Sequence, residues 1–300
     1  MALSTDARWP RAGDWPAPTG ERVDLAMIGI PTWRTSLSAT GAAATPSAVR
    51  AALRYYSQFL PPDRAVRDGG QLSFRVADWG DIDDPDAAED AATAAVAAAA
   101  EFSRVVIALG GDNAATVPAA IGTWGARIGT AGLVTLDAHH DLRDGVNNGS
   151  PVRRLIEAGL AGDRVVQVGI ADFANSAEYS ARAADYGVTV IHRDELHRRP
   201  IADVMAEALE IAGSAGGPVH VDVDVDVCDR SVAPACPASI PGGISAWELR
   251  AAARIAGGHT LVESIDFAEV DSTADSADGR TVRLVALCVL EVAAGLEGRR

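Results

Sequence analysis

Gly132-Leu133-Val134-Thr135-Leu136-Asp137-Ala138-His139-His140-Asp141 is the stretch on which the reading of this chain turns. A β-prone run, Gly132–Leu136, ends in acids and imidazoles. A second run, Pro218–Val221, ends the same way, in Asp222-Val223-Asp224-Val225-Asp226. In a strand, side chains at i, i+2 and i+4 share one face. On that rule Asp137, His139 and Asp141 point one way, and so do Asp224 and Asp226. Where the two strand ends meet, four carboxylates crowd one imidazole. Such a cluster repels itself unless cations sit in it, and divalent metal is the simplest explanation.

Around these two runs the chain alternates between strand-like and helix-like segments. Apolar runs at 24–30, 72–77, 104–109, 165–170, 188–191 and 260–267 join 132–137 and 218–226 to predict about eight strands. Helical spacing predicts helices at 47–60, 85–101, 151–159, 176–186, 194–213, 245–256 and 279–296. For the second of these, Asp84 is expected as N-cap and Pro85 at the first helical position. Strands that read as continuous apolar runs and alternate with helices imply a mostly parallel sheet covered on both faces, a three-layer α/β/α architecture. Residues 1–22, rich in Pro, Gly and Trp, read as an irregular arm. Residues 23–300 show no compositional break and read as one domain.

Composition narrows the class. A chain of 300 residues with 48% hydrophobic content can bury a large core. The formal charge of -15 argues against nucleic acid or an anionic membrane surface as partner. Every basic residue is Arg, and no function is drawn from that. Cys228, Cys236 and Cys288 lack the spacing of a disulfide framework or a structural zinc site. Asp6 and Arg8 stand where a signal peptide would need an apolar run, and no run reaches membrane-spanning length. A cytoplasmic enzyme is the default expectation.

The unusual polar clusters all fall at expected strand ends: Gly110-Gly111-Asp112-Asn113, Asp137–Asp144, Asp172, Asp224–Asp229 and Glu269. Ligands in open α/β sheets bind beyond the carboxyl ends of strands, so one composite site is expected. Carboxylates with a single imidazole suit manganese better than zinc. Shared carboxylates can bridge two metals, which together turn water into a nucleophile near neutral pH.

These motifs resemble those of the ureohydrolase family, which contains arginase, agmatinase and formimidoylglutamase. The family patterns GGDH, DAHxD and (S)xDxDxxDP…PGG are matched, in order, by Gly110–Asn113, Asp137–Asp141 and Val221–Asp229 with Pro241-Gly242-Gly243. The resemblance covers residues 24–297 and implies an arginase-like fold and a site for two manganese ions. It implies that Asp137 and Asp224 bridge the ions, that Asp141 completes one site, and that His139 and Asp226 complete the other. Glu269 matches the family carboxylate that pairs with a guanidinium or amidinium, so Glu269 and Asp141 are the candidate catalytic residues. Family members are usually trimers or hexamers, which implies a homo-oligomer acting on a small molecule.

Three departures qualify the match. Asn113 stands where the family has a metal-ligating His. Its amide oxygen can coordinate, but less well than imidazole, so the ion beside it is expected to be weakly held. Asn148 stands where many relatives have a His assigned a proton-shuttle role. Asp229 is followed by Arg230 rather than Pro.

Arg143, Arg153 and Arg154 flank the expected pocket. In an acidic chain they suggest an anionic substrate tail, with Arg143, Asn148, Arg153 and Glu269 as candidate substrate-binding residues. N-formimino-glutamate carries two carboxylates and agmatine none. The resemblance therefore implies hydrolysis of N-formimino-L-glutamate to glutamate and formamide, a reaction of histidine degradation. A guanidine hydrolase such as agmatinase or guanidinobutyrase is the alternative. A metal-depleted, non-catalytic relative is another, on the grounds of Asn113 and Asn148.

Plainer roles are expected elsewhere. His140 faces away from the cluster and reads as structural. His220 and Asp222 read as a pair that orients ligands from below. Asp144 and Asp172 could serve the site or a turn, and Asp112 is expected to cap its own turn. Cys228 reads as a small buried apolar residue, and Gly242-Gly243 as a tight turn.

Overall fold

The computed structural model describes residues 6–61 and 74–299. Eight strands form one sheet: β1 (Val23–Ile30), β2 (Val76–Asp81), β3 (Ser103–Gly110), β4 (Gly132–Leu136), β5 (Val165–Ile170), β6 (Thr189–His192), β7 (Val219–Asp224) and β8 (Val262–Ala268). Their order is β2-β1-β3-β8-β7-β4-β5-β6, and every pairing is parallel. The chain lays down β1 to β3, jumps to β4 to β6, and returns to fill the gap with β7 and β8. The carboxyl ends of β3, β8, β7 and β4 therefore stand side by side, and these four ends carry the polar motifs.

Alternate residues of β1 feed opposite cores. Leu25 and Met27 join a core shared with helices α1 (Thr45–Leu53), α7 (Ile201–Ala212), α8 (Ala246–Gly258) and α9 (Arg280–Glu297). Ala26, Ile28 and Ile30 pack with α2 (Glu89–Glu101) and α3 (Thr116–Trp124). Further along this second face, α4 (Pro151–Glu157) and α5 (Ala177–Tyr186) cover β4 and β5 through Leu133, Leu155, Val165 and Ala183. Each large aliphatic buried this way contributes about 1.5–3 kcal/mol, so the strands are held from both sides and their ends become a rigid platform.

Local chemistry sets the helix boundaries. Ser245 and Glu248 form a reciprocal capping box at the start of α8. Ser176 caps α5, and Gly187 closes it at φ 77°. Pro151 opens α4.

Several boundaries differ from expectation. The helix at 85–101 begins only at Glu89. Asp84 has φ 43° and pairs with Arg34 instead of capping. The helix at 47–60 runs from Thr45 to Leu53. The helix at 194–213 is two, α6 (Arg193–Leu196) and α7, because Pro200 lacks the N–H a continuous helix needs. Helix α3 had no sequence counterpart. Of the strand expected at 72–77, residues 72–73 lie outside the described residues, and β2 continues to Asp81. Among the described residues, no helix is long and apolar enough to cross a membrane.

Candidate metal centre and active-site cavity

The strand rule that brought the acids to one face stops at the strand ends. β4 ends at Leu136, and β7 ends at Asp224, followed by a tight helical turn over Val225–Val227. What gathers the side chains is loop geometry. Asp141 turns the chain at φ 52°. Asp226 Oδ1 accepts from Ala138 N at 3.1 Å, stitching the two loops together. Asp224 Oδ1 accepts from Asp226 N at 2.8 Å and closes its own turn.

The outcome is two groups of ligand-type atoms, each within 4.8 Å: Asp137, His139 and Asp226 in one, Asp137, Asp141 and Asp224 in the other. Asp137 belongs to both. Asp224 falls only in the second, so in this arrangement Asp137 alone is shared.

Every member except half-buried His139 is nearly excluded from solvent. Burial, then the neighbouring Asp226, lifts Asp137 to about 6. Burial and adjacent carboxylates hold Asp141 and Asp224 well above the carboxylate range. Burial disfavours the charge on His139, but Asp137 and Asp226 outweigh it and push the imidazole up to about 11. His139 Nδ1 lies 2.9 Å from Asp226 Oδ2 and 3.4 Å from Asp137 Oδ1. Burial opposes ionisation of Asp226, yet His139 brings its carboxyl below the ordinary value. The imidazole thus offsets part of the negative charge of Asp137 and Asp226. Among the described residues, Asp137 Oδ2 has no hydrogen-bond partner although buried. An oxygen-rich, under-neutralised pocket with an orphaned carboxylate oxygen fits a hard divalent cation.

Glu269 follows β8 with φ 61°, a conformation costly for a non-glycine residue and concentrated at functional sites. Its N–H donates to Gly111 O at 2.9 Å. Its Oε1 accepts from Asn113 N at 2.9 Å and Asn148 Nδ2 at 2.5 Å. Burial still lifts the carboxyl to about 8 against those two bonds.

Asn113 does not offer its oxygen to the cluster. Its Nδ2 donates to Asp141 Oδ2 at 2.6 Å, and its Oδ1 accepts from Thr116 Oγ1 at 2.8 Å. In this arrangement the amide N–H of Asn113 faces Asp141, and its oxygen faces Thr116, whose hydroxyl also lies 2.9 Å from Asp266 Oδ2.

A cavity of about 490 Å³ opens over the cluster, lined by His139, Asp141, Asp224, Asp226 and Glu269, with Arg143, Asn148 and Tyr179 on its wall. Of the three expected arginines, only Arg143 reaches it. The Arg143 guanidinium lies 6.0 Å from the Tyr179 ring centre, and among the described residues no carboxylate pairs with it. Arg153 is corrected to a loop-holding role: it donates to the carbonyls of Arg143 and Gly145 and pairs with Glu157. Arg154 forms a two-bond pair with Glu89 at 2.8 and 2.5 Å.

His140 is structural, held by Gln167 at 2.7 Å and Ser180 at 3.2 Å. His220 does not pair with Asp222: its Nδ1 meets Ser264 at 2.7 Å, and its Nε2 lies 3.4 Å from Asp266. Asp222 lies opposite Asp266 in the β7–β8 register. Asp112 caps its own turn through Ala114 N. Asp144 pairs with Arg182 at the surface, and Asp172 is exposed. Cys228 is buried. Gly243 lies where a Cβ would sit 2.3 Å from the Cys228 carbonyl carbon.

Sequence reasoning missed Asn175, which accepts from His140 N at 2.9 Å and donates to Ala138 O at 3.0 Å, bracing the 137–141 loop. Its place just past β5 was the available signal. It also missed Thr116, Tyr179 and Arg193, which no local pattern marks.

Comparison with known proteins gives the family and the fold. The arginase family model matches residues 23–295. The chain belongs to the arginase family. A formimidoylglutamase of Halalkalibacterium halodurans is 32% identical, over 85% of this chain and 82% of that protein. The crystal structure of formimidoylglutamase from Bacillus subtilis superposes with a TM-score of 0.90 at 28% identity, covering 99% of this chain and 95% of the other. Trypanosoma cruzi formiminoglutamase, solved with Mn2+2, shares the fold with a TM-score of 0.83 at 22% identity, covering 92% of this chain and 94% of the other. This arginase-family chain therefore has its carboxylate cluster, Glu269 and Arg143 around one cavity at the carboxyl ends of a parallel sheet.

Proposed function

We propose that the chain is a manganese-dependent formimidoylglutamase, hydrolysing N-formimino-L-glutamate to glutamate and formamide. The observation that carries this is the pairing of opposites in one cavity: Glu269 beside the carboxylate cluster, and on the wall Arg143, which no carboxylate pairs with among the described residues. A planar amidinium matches a carboxylate, and a guanidinium matches a substrate carboxylate. The formimidoylglutamase relatives support the same substrate.

Asp137, His139, Asp141, Asp224 and Asp226 would hold manganese, with two ions suggested by the two groups that share Asp137. When bound, manganese supplies Lewis acidity that makes water nucleophilic near neutral pH and stabilises developing negative charge. The protein does the rest. Arg143 takes a carboxylate of the glutamate portion. Glu269, aimed by Asn113 N and Asn148, holds the formimino nitrogen and so fixes the carbon over the cluster. Water adds to that carbon and gives a proton to Asp141, the bond to the glutamate nitrogen breaks, and Asp141 passes the proton to the departing nitrogen, so that the oxygen stays on the carbon as formamide. We read residues 23–300 as one catalytic domain of a cytoplasmic homo-oligomer with no nucleic-acid or membrane partner, on its charge and family.

Glu178 also lines the cavity, and an acid there would suit the distal ammonium of agmatine. The deciding assay supplies manganese with N-formimino-L-glutamate, agmatine, arginine or 4-guanidinobutyrate and quantifies glutamate, formamide, urea and ammonia. Glutamate with formamide is expected. Urea from a guanidine would move the substrate, and no product despite bound manganese would overturn the hydrolase reading.

A further inference from the structure

Arg193 is 7% exposed and is the one buried arginine among the described residues. It opens α6, where Asp194 and Glu195 are engaged by Arg198 and Arg199, so neither helix neighbour neutralises it. Among the described residues no carboxylate side chain pairs with it. Its guanidinium bridges the end of β5 and the turn after β7 through carbonyl oxygens: Nε to Gly169 at 3.2 Å, and Nη2 to Val227 at 3.3 Å and Asp226 at 3.5 Å. Nη1 has no partner among the described residues. The close approach it spans requires Gly169, which has φ 105°; a Cβ there would sit 2.6 Å from Val227 Cγ2 and 3.2 Å from Asp137 O.

A buried cation without a paired acid is costly. The acids that favour its charge, though burial opposes it, include Asp226 and Asp137, members of the His139 group. We propose that Arg193 is a positioning residue for the metal centre: it clamps the Asp226–Val227 turn to the end of β5 and so sets the geometry of the Asp137–His139–Asp226 group. The role rests on the reading of this cluster as a manganese site.

Two effects of Arg193 on manganese have opposite signs, which makes the role testable. As a positive charge near the ligands it weakens cation binding, and as a clamp it strengthens it. Arg193→Met removes both. The test uses chelator-stripped full-length chain, manganese alone as probe, free-manganese EPR to count sites and constants, and thermal unfolding without metal.

The Met variant is expected to bind one manganese at least ten-fold more weakly while its other site is unchanged. Unchanged or tighter binding would overturn the clamp, as would lower metal-free thermal stability with wild-type manganese constants. Should the Met variant not fold, Arg193→Lys keeps the charge but loses the multi-carbonyl reach of the guanidinium. It is expected to bind more weakly than wild type, and wild-type binding would overturn the proposal. A wild-type chain that takes up no manganese would overturn the reading of the cluster itself, a failure distinct from that of the clamp.

Discussion

Asn148 donates its side-chain amide to Glu269 Oε1 at 2.5 Å, while its own carbonyl oxygen accepts from Leu37 N at 2.9 Å. One side chain thus ties the 37–38 segment at the cavity wall to the carboxylate proposed to hold substrate. A hydrogen bond to a charged group contributes about 1.5–3 kcal/mol. Asn148→Ala should therefore lower kcat/KM by roughly ten- to a hundred-fold. Manganese content should stay unchanged. Steady-state kinetics with metal analysis checks this, and unaltered kinetics would remove Asn148 from the positioning of Glu269.

Asp224 is buried and its charge is disfavoured by Asp226 and Asp137. Removing it relieves repulsion in the metal-free protein while destroying a ligand group. Asp224→Ala should abolish activity and loosen manganese, while the chain still folds in chelator. Full activity in this variant would sink its assignment as a ligand.

Asn113 presents N–H, not oxygen, to Asp141. Asn113→His replaces that donor with an imidazole able to ligate, so the weaker manganese should bind at least ten-fold more tightly. Manganese titration decides it. An unchanged constant would mean that this loop does not reach the ion.

Arg143 reaches the cavity with no acid partner among the described residues. Arg143→Ala should raise KM for N-formimino-L-glutamate by roughly ten- to a hundred-fold, the range expected for a lost charge-assisted pair. Manganese content should not move. An unaltered KM would place the substrate carboxylates elsewhere.

The pH dependence of the metal-free fold follows from the raised groups. Glu269 rises from 4.5 to about 8 and His139 from 6.5 to about 11. Both hold protons more tightly folded than unfolded, so their contribution is fully present below the unfolded value and is lost as pH rises toward the folded one. Asp226, lowered, has the opposite sign, but its contribution is lost only as pH falls below the carboxylate range. Thermal unfolding in chelator should therefore show stability falling between about pH 5 and 9. Manganese should reverse the trend, since ligation displaces protons. A flat or rising Tm without metal would contradict the electrostatics of the cluster.

The three neighbouring arginines show where sequence reading stops. Arg143, Arg153 and Arg154 look equivalent in a linear chain. Only folding gives Arg154 to Glu89 and Arg153 to backbone carbonyls, leaving Arg143 for the cavity. Asn113 could be seen to replace a ligand, but which end of its amide faces Asp141 depends on Thr116, on a helix with no sequence counterpart. His220 shares a strand face with Asp222, yet its partners come from β8 across the sheet.

By itself the sequence determined the eight strands, their parallel alternation with helices, and the placing of the acids at strand ends. These are local properties, because apolar runs and side-chain periodicity report burial along a single element. Tertiary structure decided that β7 and β8 slot between β3 and β4, that Asp137 is shared by both ligand groups, and that a buried Arg193 lies behind them. Those relations join residues far apart in the chain, and they are set by packing between elements and by loop turns that no local pattern encodes.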